Sequence, residues 1–292
     1  MKRLLKIIAG VLAVLVLVVA IFLFYGRQQA NAFLAARYDV TPAVTQAVAD
    51  SAKLVRGQHL VETVGCQACH GDDLSGTIFV DAPPFLVPAP NLTAGEGGIA
   101  STYTDADWDR AIRYGVNQAG RGMVVMPSKM FSHLADDDME AMIAYLKHVP
   151  PVDNPLPELE FRAPVGYIVA ATEDLDIERA SASYQPLSVA PATGPTAAYG
   201  AYLEDAMCTA CHGADMLGGP HPGEPGVVVP SLLGAASWSP DAFINAMRTG
   251  ERPSGAAMDA EKMPWTYYQR LTDDELRAIY AHLQASLQTS SI

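Results

Sequence analysis

The four cysteines of this 292-residue chain all fall in two copies of one five-residue motif. The copies are CQACH at residues 66–70 and CTACH at residues 208–212. Two thiols on one helical turn can reach the two vinyl groups at one edge of a porphyrin, and the histidine that follows directs its imidazole at the iron. The motifs therefore predict two covalently attached haem c groups. The attachment residues are Cys66, Cys69, Cys208 and Cys211, and the first iron ligands are His70 and His212.

Three other chemistries also use paired cysteines. Zinc sites typically place their CxxC pairs about 15–20 residues apart, whereas these two motifs start 142 residues apart. A thioredoxin-like redox motif would lie in a βαβ pattern, which the sequence does not show. A structural disulfide within each motif would close a loop of only two residues. The arrangement therefore favours haem attachment.

The similarity between the two halves extends beyond these motifs, and we call residues 51–151 the first repeat and residues 194–292 the second repeat. A glycine stands shortly before each motif, and a Pro-x-Leu triplet begins 24 or 22 residues after its first cysteine. Each repeat then shows a short helix pattern ending at a glycine, and a stronger amphipathic helix pattern near its end. Neither repeat shows a convincing alternating strand pattern. The sequence therefore predicts an all-α chain with two haem domains of the same plan.

Capping residues mark where several of these helices begin. Thr104 with Asp107, and Thr272 with Glu275, have the spacing of a capping box. Ser239 is a favoured N-cap residue and is followed by proline at the first helical position. These patterns predict helices that begin directly after residues 104, 239 and 272.

The second axial ligand of each iron has to come from elsewhere in the chain, which contains 11 methionines. Met126-Pro127 and Met263-Pro264 each stand eight residues before a leucine at the predicted start of the last helix of their repeat. At this offset of 137, only Met126 and Met263 are methionine in both repeats. The rival histidines lack a histidine counterpart and are interpreted as surface residues: His133, His148, His221 and His282. The sequence therefore predicts His/Met ligation, which raises the reduction potential and leaves no open position for substrate.

Two further residue pairs occupy equivalent places in the repeats. The carbonyl groups of Pro90 and Pro230 are predicted to accept the second ring N–H of the two haem histidines, which fixes the tautomer. Arg113 and Arg248 are predicted to pair with haem propionates. A solvated helix face is the alternative interpretation for these arginines.

An uncharged apolar stretch runs from residue 7 to residue 25. Nineteen helical residues span roughly 28 Å, close to the hydrocarbon thickness of a bilayer. Three basic residues precede the stretch, so the positive-inside rule places the following residues on the exported side of the membrane. We predict an uncleaved anchor at residues 1–27. A cleaved signal peptide is the alternative, because residues 30–32 have the small-x-small form of a cleavage site.

Two segments are predicted to connect these units. Residues 28–50 form a stalk between the membrane and the first repeat. Residues 152–193 are rich in proline, which stiffens a linker. Phe161 and the apolar residues 167–169 indicate that this segment packs against a domain. We interpret it as a strap that fixes the two haems relative to each other.

The exported part of the chain is strongly acidic. Residues 28–292 contain 15 basic and 32 acidic residues, a net charge of −17 with histidine counted as neutral. Nucleic-acid binding requires clusters of lysine and arginine that neutralise phosphates, and this charge balance argues against it. The acidic surface instead predicts a protein partner with a basic face.

The sequence resembles the class I c-type cytochromes twice, over roughly residues 51–151 and 194–288. The first repeat is most similar to the cytochrome subunits of membrane-bound alcohol, aldehyde and gluconate dehydrogenases. The similar stretches are residues 66–71, 90–93, 97–99, 108–115, 126–127 and 138–151. Those subunits usually carry three haems, whereas this chain offers two attachment motifs. The resemblance implies small helical domains wrapped around haem, and electron relay in a respiratory chain.

Three functions are compatible with these motifs. The leading hypothesis is a membrane-anchored diheme cytochrome that relays single electrons on the periplasmic side of the cytoplasmic membrane. Its partners would be a dehydrogenase, a quinol-oxidising complex or a terminal oxidase. The alternative is a diheme enzyme, such as a peroxidase or a sulfur-compound oxidase, with one catalytic haem. The third is a structural subunit whose haems contribute little. His/Met ligation in both repeats favours the electron carrier over the enzyme.

Overall fold

The computed structural model describes residues 1–172, 187, 189–221 and 226–290. This part of the chain is mainly helical, which confirms the predicted fold class. The helices are α1 (Lys2–Ala35), α2 (Ser51–Thr63), α3 (Cys66–His70), α4 (Asp105–Tyr114), α5 (Ser128–Phe131), α6 (Asp136–Leu146), α7 (Val165–Thr172), α8 (Ala197–Met207), α9 (Thr209–His212), a 3-10 helix (Leu232–Ser237), α10 (Pro240–Thr249), α11 (Trp265–Tyr268) and α12 (Asp273–Ser290). The strands are β1 (Thr77–Asp81), β2 (Phe85–Ala89), β3 (Glu160–Phe161), β4 (Gly219–Pro220) and β5 (Val228–Val229).

Helix α1 contains the apolar stretch and is, within the described residues, the one helix long and apolar enough to span a membrane. It continues to Ala35, so the first residues of the predicted stalk are helical. Near Gly26 it packs closely on α7: a Cβ atom there would lie 1.9 Å from the carbonyl oxygen of Tyr167. Glycine is therefore required at this contact.

In both repeats the first helix crosses the last helix at a glycine. A Cβ atom on Gly57 of α2 would lie 1.9 Å from the Ala141 carbonyl oxygen on α6. A Cβ atom on Gly200 of α8 would lie 1.9 Å from the Ala278 carbonyl oxygen on α12. The two matching crossings define which residues of the repeats are structurally equivalent. The predicted core face of each last helix lies next to its crossing. Its buried members are Met139, Met142, Ile143, Leu146, Leu276, Ile279 and Leu283, and Tyr280 is half-buried against the core.

The last helices begin slightly later than the leucines that were predicted to open them. Leu134 and Leu271 are each 1 % exposed and lie in the turn before the helix. Helices α6 and α12 start two residues later, at Asp136 and Asp273. The two leucines therefore pack in the core just before the helix N-terminus and do not belong to its first turn.

Short antiparallel strands follow each haem motif, which the sequence pattern did not predict. Strand β1 pairs with β2, and β2 pairs with β3. In the second repeat β4 pairs with β5 at the corresponding place. The strands are two to five residues long, and β1 has two consecutive exposed residues in place of strict alternation. Such strands lack the period-two signal from which strands are predicted.

The described part of the predicted strap is bound to the first repeat. Phe161 is buried, and its ring packs edge-on against Phe33 and Phe85, with centroids 5.7 and 5.2 Å away. The Val152 carbonyl oxygen accepts a hydrogen bond of 2.7 Å from the Asn91 side chain. Residues 173–186 and 188 of the strap lie outside the described residues. Its role in fixing the two repeats stays a prediction.

Candidate haem sites

Each CxxCH motif forms a short helix directly after the first helix of its repeat. The glycine that follows each motif histidine has a φ of 81° or 74°, in the left-handed region that favours glycine. The chain then turns back, so that Gly76 N–H donates to the His70 carbonyl at 2.7 Å and Gly218 N–H donates to the His212 carbonyl at 2.8 Å. The two motifs therefore have the same local structure.

The structure gives both motif histidines the proline contact that the sequence predicted. His70 Nδ1 lies 2.8 Å from the Pro90 carbonyl oxygen, and His212 Nδ1 lies 3.0 Å from the Pro230 carbonyl oxygen. Because Nδ1 donates to a carbonyl, the lone pair of the neutral ring is on Nε2. Burial lowers the pKa of both histidines, although the proline carbonyls act in the opposite direction. Each imidazole is thus neutral and oriented for metal binding through Nε2.

None of the four cysteines is joined to another in a disulfide bond. Burial raises the pKa of Cys66 to about 12 and also raises the pKa of Cys69, Cys208 and Cys211. Thiolate is the form that attacks disulfides, so a raised pKa disfavours thiol–disulfide exchange. Within the described ranges, no group of three or more His, Cys, Asp or Glu side chains is arranged to hold a metal ion.

The two Met-Pro pairs also share one local structure. Pro127 has φ −78° and ψ 55°, and Pro264 has φ −76° and ψ 55°. The Met126 carbonyl accepts from the N–H two residues later at 2.8 Å, and the Met263 carbonyl does so at 2.7 Å. Helices α5 and α11 follow, and both methionines are half-buried against the core. The repeats therefore present these two side chains in the same way, and their assignment as axial ligands stays a prediction.

Buried N–H groups that have no hydrogen-bond partner indicate whether these residues fit a haem group. Trp108 Nε1, Arg113 Nη1 and Trp265 Nε1 are buried and have no hydrogen-bond partner among the described residues. A buried N–H without an acceptor is costly and calls for a missing partner. The propionates of haem are anionic acceptors that would satisfy such donors. Together with the four thiols and the two oriented imidazoles, these donors fit a haem in each repeat.

Arg113 and Arg248, the predicted propionate partners, each bind the first residue of the last helix of their repeat. Arg113 Nη2 lies 2.8 Å from Asp136 Oδ1, and Arg248 Nη2 lies 2.8 Å from Asp273 Oδ1. Arg113 is fully buried, with its Nε 2.7 Å from Asp109 Oδ1. The solvated-face interpretation is therefore wrong for Arg113. Both arginines tie two helices together, and a contact with propionate stays a prediction.

The two repeats meet through equivalent faces. His59 Nε2 of the first repeat lies 2.8 Å from Glu275 Oε2 of the second. Tyr202 of the second repeat donates its hydroxyl to Asp138 Oδ2 of the first at 2.7 Å. His59 and Tyr202 each stand two residues after the crossing glycine, and the two carboxylates each stand third in the last helix. The contacts are therefore reciprocal, as across a two-fold axis.

Arg56 adds contacts to both carboxylates of this interface. Its Nε and Nη2 atoms donate to the two Asp138 oxygens at 2.7 and 2.8 Å, and its Nη1 lies 3.5 Å from Glu275 Oε1. At the edge, Arg270 donates to the Gln67 side chain, which lies inside the first haem motif. These contacts were not predicted from the sequence. Their signal was the pair of polar residues Arg56 and His59, which flanks the glycine of a close helix crossing.

Acid is expected to weaken this interface. Burial alone would raise the pKa of Glu275, but hydrogen bonds from His59 and Thr272 lower it to about 2, against an ordinary value of 4.5. The ionised carboxylate therefore contributes stability that is fully present above pH 4.5 and is lost as the pH falls towards 2. We expect Glu275→Gln to reduce the free energy of unfolding at pH 7 by about 3 kcal/mol. Denaturant unfolding at pH 7 and pH 3 measures this.

The exposed neighbour Asp274 provides the matched control. Asp274→Asn removes the same charge from the same helical turn and is expected to change the free energy of unfolding by less than about 0.5 kcal/mol. Equal losses in the two variants would show that the ion network at Glu275 does not stabilise the fold.

A family model described as cytochrome c matches residues 54–150 and 197–286, which lie in the two repeats and make up more than half of the chain. The chain belongs to the cytochrome c family. The predicted family is thereby confirmed, and membership implies covalently bound haem c. That the family model matches twice suggests one haem for each repeat.

Several curated cytochrome subunits are similar to this cytochrome. The cytochrome c subunit of the quinone alcohol dehydrogenase of Gluconacetobacter polyoxogenes is 29% identical over 270 residues, which cover 81% of this chain and 56% of the relative. The gluconate 2-dehydrogenase cytochrome c subunit of Pantoea cypripedii is 27% identical over 273 residues, covering 81% and 60%. The fructose dehydrogenase cytochrome subunit of Gluconobacter japonicus is 25% identical over 267 residues, covering 82% and 54%.

This cytochrome spans about half the length of the first of these relatives. The names of all three relatives are those of cytochrome subunits of dehydrogenases. These names agree with the prediction of an electron-transfer subunit, as distinct from an enzyme.

Proposed function

We propose that this cytochrome is a membrane-anchored diheme electron carrier that relays single electrons between a respiratory donor and acceptor on the periplasmic side of the cytoplasmic membrane. One observation carries the proposal: both repeats combine a CxxCH motif, a proline carbonyl on the histidine and a Met-Pro turn in matching geometry. Haem c, when bound, supplies a one-electron carrier. His70 with Met126, and His212 with Met263, would hold the two irons through imidazole and thioether, which would leave no position for substrate.

The contacts between the repeats support transfer within one chain. Arg56, His59 and Tyr202 hold the two repeats together through buried or half-buried side chains. The contact of Arg270 with Gln67 places the first haem motif at this interface. A carrier built from two repeats needs a fixed separation of its redox centres, and this network supports one.

Helix α1 supports the proposed location. Its apolar side chains between residues 7 and 25 are mostly exposed, as lipid contact requires. The carboxyl end of α1 packs on α7 at Gly26 and Ala30. Cleavage near residue 30 would remove the helix segment that makes this contact, so the structure favours the anchor over a cleaved signal.

The proposed partner is a membrane dehydrogenase, because the similar proteins include cytochrome subunits named for dehydrogenases. A quinol-oxidising complex and a terminal oxidase are the other partner classes that fit a one-electron carrier. Copurification of the full chain in mild detergent distinguishes them, since each class carries its own cofactors.

Salt is expected to slow the reaction with the partner. The net charge of −17 over residues 28–292 attracts a basic docking face, and ions screen that attraction over about 8–10 Å at physiological strength. We expect the bimolecular electron-transfer rate to fall at least tenfold between low and high salt. Stopped-flow measurement over a salt series tests this, and a rate independent of salt would contradict electrostatic docking.

A redox titration followed by absorbance spectra tests the proposed function. Two low-spin haems with thioether ligation, unreactive towards peroxide and small ligands, are expected of an electron carrier. A high-spin ferric haem that reacts with peroxide would overturn the carrier and favour the diheme enzyme.

A further inference from the structure

One buried carboxyl group in the second repeat has no counterpart in the first. Glu204 lies on α8, one turn before Cys208, and its side chain is fully buried. His282 Nδ1 on α12 lies 2.8 Å from Glu204 Oε2. Within the described part of the chain, Oε1 has no hydrogen-bond partner. Burial of a carboxyl group with one unpaired oxygen costs free energy. Buried titratable groups of this kind are candidates for a functional role.

The first repeat has uncharged residues at the equivalent places. The glycine crossings align Glu204 with Val61 and His282 with Tyr145. Val61 is fully buried, as an ordinary core residue would be. The carboxyl–imidazole pair is therefore specific to the second repeat, and the chain contains its own control.

Among the residues that the structure describes, few charged or titratable groups lie near Glu204. His282 lies opposite on α12, Asp205 is next to it on α8, and the Cys208 thiol follows one turn later. Burial raises the pKa of Glu204 to about 7, and Asp205 adds to this rise, whereas His282 opposes it. Both protonation states are therefore accessible at neutral pH.

We propose that Glu204 and His282 form a redox-linked proton-binding site. The proposal rests on the proposed function, because it requires that the second repeat gain and lose an electron. When a reduced redox partner donates one electron to this repeat, the Glu204 carboxylate takes one proton from a solvent hydronium ion, so that an O–H bond forms on the carboxyl group and one breaks in the hydronium ion. On oxidation that O–H bond breaks and the proton returns to water. No other bond changes.

The residues around Glu204 couple its protonation to the charge of the redox centre, and they also provide a path for the proton. Cys208, where the haem is attached, is one helical turn from Glu204, so charge at the redox centre and charge at the carboxylate interact through a water-poor interior. An oxidised centre carries one more positive charge and favours the carboxylate, whereas reduction favours the acid. His282 is 30% exposed, and its Nε2 lies 3.4 Å from Ser286 Oγ, so it links the buried oxygen to solvent.

The reduction potential of the second repeat should consequently fall as the pH rises through neutrality. The equilibrium constant for reduction of that repeat is expected to change by up to tenfold per pH unit. For one electron, this corresponds to a change in reduction potential of 59 mV. The first repeat, with Val61 and Tyr145 in place of the pair, should have a potential that is flat over the same range.

Spectroelectrochemical titration of the full chain between about pH 5.5 and 8.5 tests the inference. One midpoint potential is expected to fall with pH, and Glu204→Gln is expected to hold it near its acid-side value. Asp205→Asn removes a charge from the adjacent, half-exposed position and should leave the slope in place. A slope that persists in Glu204→Gln would overturn the inference.

Infrared difference spectra of the unmodified chain give a second test that does not depend on folding of a variant. Reduction near pH 7 is expected to produce the carbonyl band of a protonated carboxylic acid, and its absence would overturn the inference. A chain without haem absorbance would overturn the proposed function itself. Two haems with pH-independent potentials would overturn only the proton site.

Discussion

Replacement of Met126 or Met263 by alanine is expected to lower the reduction potential of one haem and leave the other unchanged. A thioether ligand favours the reduced iron, so its loss shifts the balance towards the oxidised form. We expect a fall of about 100 mV or more, because axial ligands tune haem potentials over roughly 0.8 V. A redox titration that follows the two haems separately by their spectra measures the change.

Two other methionines provide matched controls for this prediction. Met130 lies on α5, just after Met126-Pro127, and Met258 lies in the loop before Met263. Alanine at either position should leave both potentials within experimental error. If both haems kept their potentials in Met126→Ala and in Met263→Ala, the axial assignment would be wrong.

Replacement of Gly57 or Gly200 by alanine is expected to destabilise the corresponding repeat. The added methyl group would lie 1.9 Å from a carbonyl oxygen of the opposite helix, so the two helices would have to separate. Overpacking of this kind exceeds the gain of about 1 kcal/mol that alanine has over glycine in a helix. We expect the free energy of unfolding to fall by roughly 2 kcal/mol or more. Denaturant unfolding monitored by circular dichroism checks it.

Gly234 is the control for these substitutions. A Cβ atom there would meet nothing within 4 Å, and its backbone is not in the left-handed region. Gly234→Ala is expected to be neutral or slightly stabilising. A loss as large as that in Gly57→Ala would show that the close helix crossing is not the cause.

Local signals predicted much of each repeat. The Thr104–Asp107 capping box is present, and Ser239 accepts from the Ala242 N–H at 3.2 Å. The Thr272–Glu275 box is also present, with Thr272 N–H donating to Glu275 at 2.8 Å. These contacts join residues three apart and are therefore encoded in adjacent sequence. The proline contacts of the haem histidines followed from internal symmetry.

Non-local partners account for what the sequence did not predict. Arg113 and Arg248 bind carboxylates 23 and 25 residues away, and a helix pattern does not specify which acid an arginine meets. Glu275 was interpreted as a helix cap, yet its carboxylate also binds His59 of the other repeat. A role for Glu204 was not predicted, because the sequence alone does not show that its side chain is buried or that Val61 is its counterpart in the first repeat.

Covalent attachment of haem at both motifs is the central claim, and mass spectrometry of peptides from the full chain tests it most directly. Peptides containing residues 66–70 and 208–212 are each expected to be heavier than the bare polypeptide by one haem group. Cys66→Ser with Cys69→Ser should remove the haem from the first peptide alone. Two unmodified peptides from a chain produced together with a c-type haem attachment system would contradict the account.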